Sequence, residues 1–433
     1  MCDTIIYDLS DKSCNINDLW ENIFKNIEKK EKLFEYKNII GKRIETNNDI
    51  YYVLNYDKRI ITNDSFNTLG LFRSVVIRDK EIVSFSPPRS MNYYDFLKSN
   101  KELNENIIVE EFIEGTMINL FFDKKINNGN GDWQIATKSS VGGYYSSPSS
   151  NNDENNMTFR QMFVDAMNAV NIEFDMFDKN YVYSFVLRHP KNKIVSMVTN
   201  PLIILTSIFK IDNTNYTINS ISLHSFGSND DKMKPFIDNI IVPKRNRNIK
   251  TYEEVKEKYS SMNTDYNIMG VIIKNKITGE RTKIRNPNYE NVKNIKGNSP
   301  KLQYKYLSLR KIGKVKEYLR YFSEDRSRFS SFRDYLHQYT NALYNNYVNC
   351  YIKKVKNINN YPSNFKNHMI NLHDYYLNHL MPVKKYISYK SVVSYVNNLH
   401  PSQQMFVLNY NIRKKNTEEN KYYKIKEILE KKI

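Results

Sequence analysis

The sequence predicts an α+β protein: a domain dominated by antiparallel sheet over residues 1–295, then an all-α domain over residues 302–433. Three observations carry this reading. Short runs of alternating apolar and polar residues, bounded by turn residues, fill the first two thirds. After about residue 295 the apolar groups recur at helical spacing instead. The charge divides at nearly the same place. Residues 1–280 carry 35 Lys and Arg against 37 Asp and Glu, whereas residues 281–433 carry 30 against 10, so the net charge of +18 arises in the last third.

In chain order, DLWENIFKNIEKKEKLFEY (18–36) reads as one amphipathic helix with Leu19, Ile23 and Ile27 on a shared face. IYYVLNY (50–56) and SVVIRDKEIVSF (74–85) read as strands, the second folded back at Asp79-Lys80. IIVEEFIEGTMINLFF (107–122) reads as a hairpin-like pair of strands, and WQIATKSS (133–140) as a further strand. GNGD (129–132) lacks a following helix, so it reads as a turn and not a phosphate loop. SPSSNNDENN (147–156) is polar and loop-like, and MTFRQMFVDAMNAV (157–170) is helical. YVYSFVLRH (181–189), IVSMV (194–198), PLIILTSIFKI (201–211), NIMGVIIKNK (267–276) and ERTKIRN (280–286) return to strands. KGNSPK (296–301) is the expected linker.

Helical patterning then takes over. In FRDYLHQYTNALYNNYVNCYIKKV, Phe332, Tyr335, Tyr339, Leu343 and Tyr347 fall on one face. KIGKVKEYLR (311–320) is the densest basic stretch, and Lys311, Lys314 and Arg320 are expected along one side of a helix facing RNA phosphates. A basic domain rich in Tyr and Phe is the footprint of a phosphate-backbone binder. Most of the tyrosines should be core, and a minority are free to stack on unpaired bases. His368, His373 and His379 share a predicted helix at spacings that put no two of them on one face as metal ligands. His189, beside a proline, reads as a structural hydrogen-bonder.

Cys2, Cys14 and Cys350 follow no metal-binding spacing and read as reduced thiols. The start MCDTIIYDLS is acidic and lacks the basic region of a signal peptide, and no stretch has the length of a membrane span. The expected location is therefore intracellular, in the cytoplasm. Heavy use of Asn, Lys, Ile and Tyr, whose codons are AT-rich, also raises the lysine count.

Several stretches line up in order with one family. FRSVVIRDKEIVSFSPPRSMNYYDF (72–96), FIEG (112–115), ATKSSVGG (136–143), YSFVLRHPKNKIV (183–195), MGVIIK (269–274) and TKIRNPNYE (282–290) together resemble the covalent nucleotidyltransferases. The closest resemblance is to the phage-type RNA ligases of tRNA repair, and it spans roughly residues 40–290. It implies the antiparallel nucleotidyltransferase fold. It also implies phosphate contacts from Arg73 and Arg89, the latter followed by Asn92 and Tyr93, and from Lys138, Lys274, Lys283 and Arg285. The helical second domain agrees with that family in position and character only.

The departures fall on the chemistry. The family's nucleophilic lysine position is Phe112, which has no nucleophilic atom. Its metal-binding carboxylate positions are Val186 and Met269. The acid of the turn survives as Glu114, expected to hold the turn or to meet a ribose, while Gly115 and Gly270 are kept and Ser139 replaces a glycine. An unpaired lysine or glutamate buried in an emptied pocket would cost several kcal/mol, so packing groups are the better filling. The resemblance thus implies a catalytically inactive RNA-ligase-like protein that binds RNA ends or structured RNA, or acts as a scaffold in a viral complex. It implies no catalytic residue, no metal and no cofactor beyond residual ATP binding. Its expected partners are RNA and a viral protein, with no membrane, in a host cytoplasm or a virion of a large DNA virus. Two rivals stand beside it: an active ATP-dependent ligase using a relocated lysine, with Lys138 the candidate, and a structural virion or complex subunit.

Overall fold

The computed structural model describes residues 5–10, 16–46, 49–62, 65, 68–145, 157–223, 226, 234–299 and 301–418. The chain forms two compact units, Met1–Asn294 and Ile295–Ile433.

In the first unit the chain enters through strand β1 (Ile5–Asp8) and helix α1 (Ile16–Glu28). A meander follows: β2 (Leu33–Tyr36), β3 (Ile39–Thr46), β4 (Asp49–Tyr56), β5 (Val75–Arg78) and β6 (Glu81–Phe85), hydrogen-bonded in that order as a five-stranded sheet. Asp79 and Lys80 both have positive φ, 45° and 67°, which matches the right-handed twist of the β5–β6 hairpin. Helix α2 (Tyr93–Ser99) leads to β7 (Ile107–Glu111), β8 (Thr116–Asp123) and β9 (Asp132–Ala136). Helix α3 (Phe159–Ala169) begins at a capping box in which Thr158 and Gln161 satisfy each other's backbone N–H groups. Strands β10 (Val182–Arg188), β11 (Leu202–Asp212) and β12 (Thr217–Ile221) precede helices α4 (Lys234–Asn239) and α5 (Tyr252–Ser260). The unit closes with β13 (Gly270–Asn275), β14 (Arg281–Arg285) and helix α6 (Pro287–Lys296), which runs past the unit boundary.

These strands build a second sheet, β1-β12-β11-β10-β8-β9, and a third, β14-β13-β7. Every strand pair in the three sheets is antiparallel. The period of two along a strand decides what each face meets. Phe121 of β8 enters a core with Tyr51, Val53 and Val76 of the five-stranded sheet. Ile118 and Leu120, on the other face, pack with Phe163 and Met167 of α3. A third core, Val109, Val271 and Ile273 against Phe96 and Val255, covers one face of the three-stranded sheet. Each such side chain contributes about 1.5–3 kcal/mol on burial. A buried ion pair bridges two sheets: Arg78 donates to Asp123 at 2.7 Å, and the Tyr51 hydroxyl donates to the same oxygen at 2.7 Å.

Several sequence expectations are corrected. The first helix stops at Glu28, and Leu33–Tyr36 is strand, because Lys29 to Lys32 supply a turn with Lys30 at positive φ. Ile23 is buried and Ile27 half-buried, while the side chain of Leu19 lies outside the described residues. The two halves of IIVEEFIEGTMINLFF are not a hairpin: β7 pairs with β13 and β8 with β10 and β9, so the Phe112–Gly115 segment crosses between sheets. Ile194 to Val198 forms bends and no strand, and β9 ends at Ala136. The segment 147–156 lies outside the described residues.

The second unit is helical: α7 (Leu302–Lys311), α8 (Val315–Tyr321), α9 (Arg326–Tyr347), α10 (Ser363–Tyr375), α11 (Tyr389–Asn398) and α12 (Pro401–Leu408). Helix α9 buries Phe329, Leu336, Tyr339, Leu343 and Tyr347. Phe332 is half-buried and Tyr335 is 53% exposed, so the apolar stripe is rotated from the expected one. KIGKVKEYLR is not one helix. Gly313, with φ of 70°, separates α7 from α8, and Lys311, Lys314 and Arg320 do not share a helix face. No described helix is long and apolar enough to cross a membrane.

Candidate functional site

The turn between β7 and β8 sits against the ends of β10 and β13. The Phe112 N–H donates to the Gly270 carbonyl at 3.2 Å. Gly115 has φ of 155°, and a Cβ there would fall 2.5 Å from both the Leu187 carbonyl and a Val186 methyl. Gly270 has φ of 137°, and a Cβ there would fall 2.1 Å from the Ile284 carbonyl. Both positions therefore require glycine. Phe112, Val186 and Met269, far apart in sequence, are thereby gathered around one turn, and all three are half-buried.

Glu114 anchors this turn. Its carboxylate is 5% exposed and accepts from the backbone N–H groups of Val195 and Ser196 at 3.1–3.2 Å. The Ser196 hydroxyl donates to it at 3.4 Å, and the Tyr289 hydroxyl is a further partner. The bent segment after β10 is thus held by Glu114, the turn-holding option of the two expected for it.

Cations converge nearby. Asn55 donates to the carbonyls of Arg73 at 2.6 Å and Lys138 at 3.0 Å, which pins the two backbones together. Burial, then the charges of Lys58 and Arg73, bring the Lys138 amine down to about 8. Burial, then Arg285, Arg73 and Arg281, bring Lys283 down to about 8. Arg281 is brought to about 10 by burial and then by Arg73, and Arg73 itself is lowered by burial. Among the described residues none of these four makes an ion pair with a carboxylate. Arg73 donates to the Pro87 carbonyl at 3.2 Å, and two of the amines lie near aromatic rings: the Lys138 ammonium is 5.8 Å from the centre of the Tyr56 ring, and that of Lys283 is 5.6 Å from the centre of the Phe112 ring.

The other expected phosphate ligands are placed differently. Lys274 is paired with Glu110 at 2.7 Å and Arg285 with Glu290 at 2.7 Å. Arg89 donates to the Ile61 carbonyl at 3.5 Å, Asn92 caps α2, and Tyr93 packs edge-on against Tyr252. In the second unit Lys314 lies 3.4 Å from Glu317, Arg320 lies beside the Tyr321 ring, and Lys311 is exposed. His189 accepts the Lys191 N–H on Nδ1 and pairs through Nε2 with Asp165 at 2.9 Å, a structural role.

Sequence reasoning missed Arg281, Asn55, Tyr56 and Lys58. The available signal for Arg281 was its spacing: two residues before Lys283 on β14, it shares that strand face.

The arrangement can bind anions. It does not fit a divalent metal, because Val186 and Met269, where the resembled family has carboxylates, offer no oxygen ligand, in keeping with the expectation of no metal. Among the described residues no group of three or more His, Cys, Asp or Glu side chains is placed to hold a metal ion.

No protein-family model and no curated protein matches the chain. Solved structures that it resembles are ATP-dependent ligases. A protein of Aquifex aeolicus assigned as an ATP-dependent DNA ligase is 15% identical with a TM-score of 0.38, over 76% of this chain and 80% of that one. An archaeal ATP-dependent RNA ligase is 11% identical at 0.37, over 75% and 74%. A Naegleria gruberi RNA ligase is 11% identical at 0.32, over 66% and 83%. At TM-scores this low the likeness carries no weight for function, which is argued from the residues of the cleft.

Proposed function

We propose that the first unit is a degenerate RNA ligase of the phage type, that its cleft binds RNA phosphates without transferring a nucleotide, and that a large DNA virus is its source. One observation supports this above others: Phe112, Val186 and Met269 pack around the turn where a nucleophile and two metal ligands would stand, while Arg73, Lys138, Arg281 and Lys283 keep no carboxylate partner. Uncompensated cations in a half-buried cleft call for an anion. The guanidinium fork of Arg73 suits two phosphate oxygens, and the tyrosine face beside Lys138 suits a base. The basic second unit adds affinity that does not depend on sequence. RNA held in this way makes the protein a binder of RNA ends or a scaffold for an active partner in the host cytoplasm.

A second reading is favoured by one specific fact. Lys138, brought to about 8, is neutral in roughly one molecule in ten at pH 7, far more than an ordinary lysine, and could attack a phosphate. Incubation with radiolabelled ATP, and separately GTP, with magnesium or manganese separates the two. The binding reading expects no label on the denatured chain. Label that disappears in Lys138→Ala would overturn it in favour of an active nucleotidyltransferase.

A further inference from the structure

A cavity of about 360 Å³ lies at the other end of the three-stranded sheet from the Phe112 turn, between β7, β13 and β14 on one side and β1, β11 and β12 on the other. Phe112, Glu114, Gly115, Val186 and Met269 line none of it. Ile108 and Lys274, which do, lie four residues along their strands from Phe112 and Gly270, roughly 13 Å away at about 3.3 Å per residue.

Two guanidiniums reach this cavity. Arg281 is half-buried, but its Nε is fully buried with no hydrogen-bond partner among the described residues. Arg245, half-buried, also lines the cavity, and burial lowers its pKa. Glu110 offsets both Arg281 and Arg245 in part, but its carboxylate is shared with Lys274, in contact at 2.7 Å. The lining carboxylate, Glu105, is exposed at the rim and leaves the interior cationic. The hydroxyls of Tyr7, Ser207 and Ser220 add donors, and burial keeps the Tyr7 hydroxyl protonated. Ile108, Phe209 and Pro88 supply an apolar wall.

We infer that this cavity binds a small phosphate monoester, with its dianion between Arg281 and Arg245 and its organic part on the apolar wall. A guanidinium with a buried, unused N–H and only a shared carboxylate gains from a further anion, and a planar fork with neighbouring hydroxyls matches phosphate oxygens. The volume is at the small end of ligand sites, which fits a sugar phosphate and excludes a polymer. Arg281 lies between the cavity and the cleft, whereas Arg245 belongs to the cavity lining, so Arg245→Gln separates this inference from RNA binding in the cleft.

The test is titration calorimetry on the full chain with ribose 5-phosphate, inorganic phosphate and ribose. The expected result is one-to-one binding of ribose 5-phosphate, binding of inorganic phosphate at least tenfold weaker, and none of ribose. Arg245→Gln should weaken ribose 5-phosphate at least tenfold while leaving RNA affinity unchanged. Arg281→Met should abolish the binding and raise the melting temperature of the ligand-free protein, since an unpaired charge is removed. Absence of binding by any phosphate, inorganic phosphate binding as well as the ester, or unchanged ester binding in Arg245→Gln would overturn the assignment.

Discussion

Lys138 and Lys283 are the residues on which the electrostatics of the cleft turn. Their amines are ordinary lysines in the unfolded chain, near 10.5, and are brought to about 8 when folded. Between those values the unfolded chain holds protons that the folded chain has released, so stability rises with pH there. Below about 8 both states are protonated and the penalty of burying the charge is fully present. Above about 10 tyrosine ionisation reverses the trend, because burial raises tyrosines such as Tyr145 and Tyr252. The urea midpoint of the ligand-free protein should therefore rise from about pH 8 to about pH 9.5, and should rise less in a Lys138→Met, Lys283→Met double variant. A falling midpoint in that window would contradict the burial of these amines. At this scale the sequence was informative about residue type and silent about pairing. Arg73, Lys138 and Lys283 were legible as cations and keep that character, whereas Lys274 and Arg285 are neutralised by Glu110 and Glu290, contacts that only the folded chain creates.

Strands were more legible than their partners. The alternation in IYYVLNY and the Asp79-Lys80 turn were both visible locally and both form. The β7–β8 segment was misread as a hairpin because each half has a proper strand pattern, and nothing local says that the halves enter different sheets. The break between α7 and α8 was written in Gly313, whose positive φ ends a helix that the basic residues alone would have continued. Tertiary bonds between elements carry measurable weight. Asp123 is 1% exposed and receives both Arg78 and Tyr51, so Asp123→Ala removes the buried carboxylate of the pair and leaves Arg78 to Asp49 at 2.8 Å and the Tyr51 hydroxyl without its acceptor. The expected loss is about 1–3 kcal/mol by urea unfolding, and an unchanged midpoint would show that Asp49 and water replace the carboxylate.

The whole chain divides its labour by charge. The first unit is nearly neutral yet concentrates unpaired cations in one cleft, and the second carries most of the positive excess on helices. The fold class and the change from strand to helix near residue 295 were legible because composition and periodicity are properties of whole segments. The cleft was legible only in part, since its depth comes from three sheets whose order no local pattern encodes. The central claim is that this cleft binds RNA phosphates. It is tested most directly by the salt dependence of single-stranded RNA affinity for the wild-type chain and an Arg73→Gln, Lys283→Gln variant. The account predicts affinity that falls steeply with salt, and a variant that binds more weakly with a slope shallower by about 0.7 for each lost phosphate contact. Equal affinity and equal slope in the two proteins would contradict it.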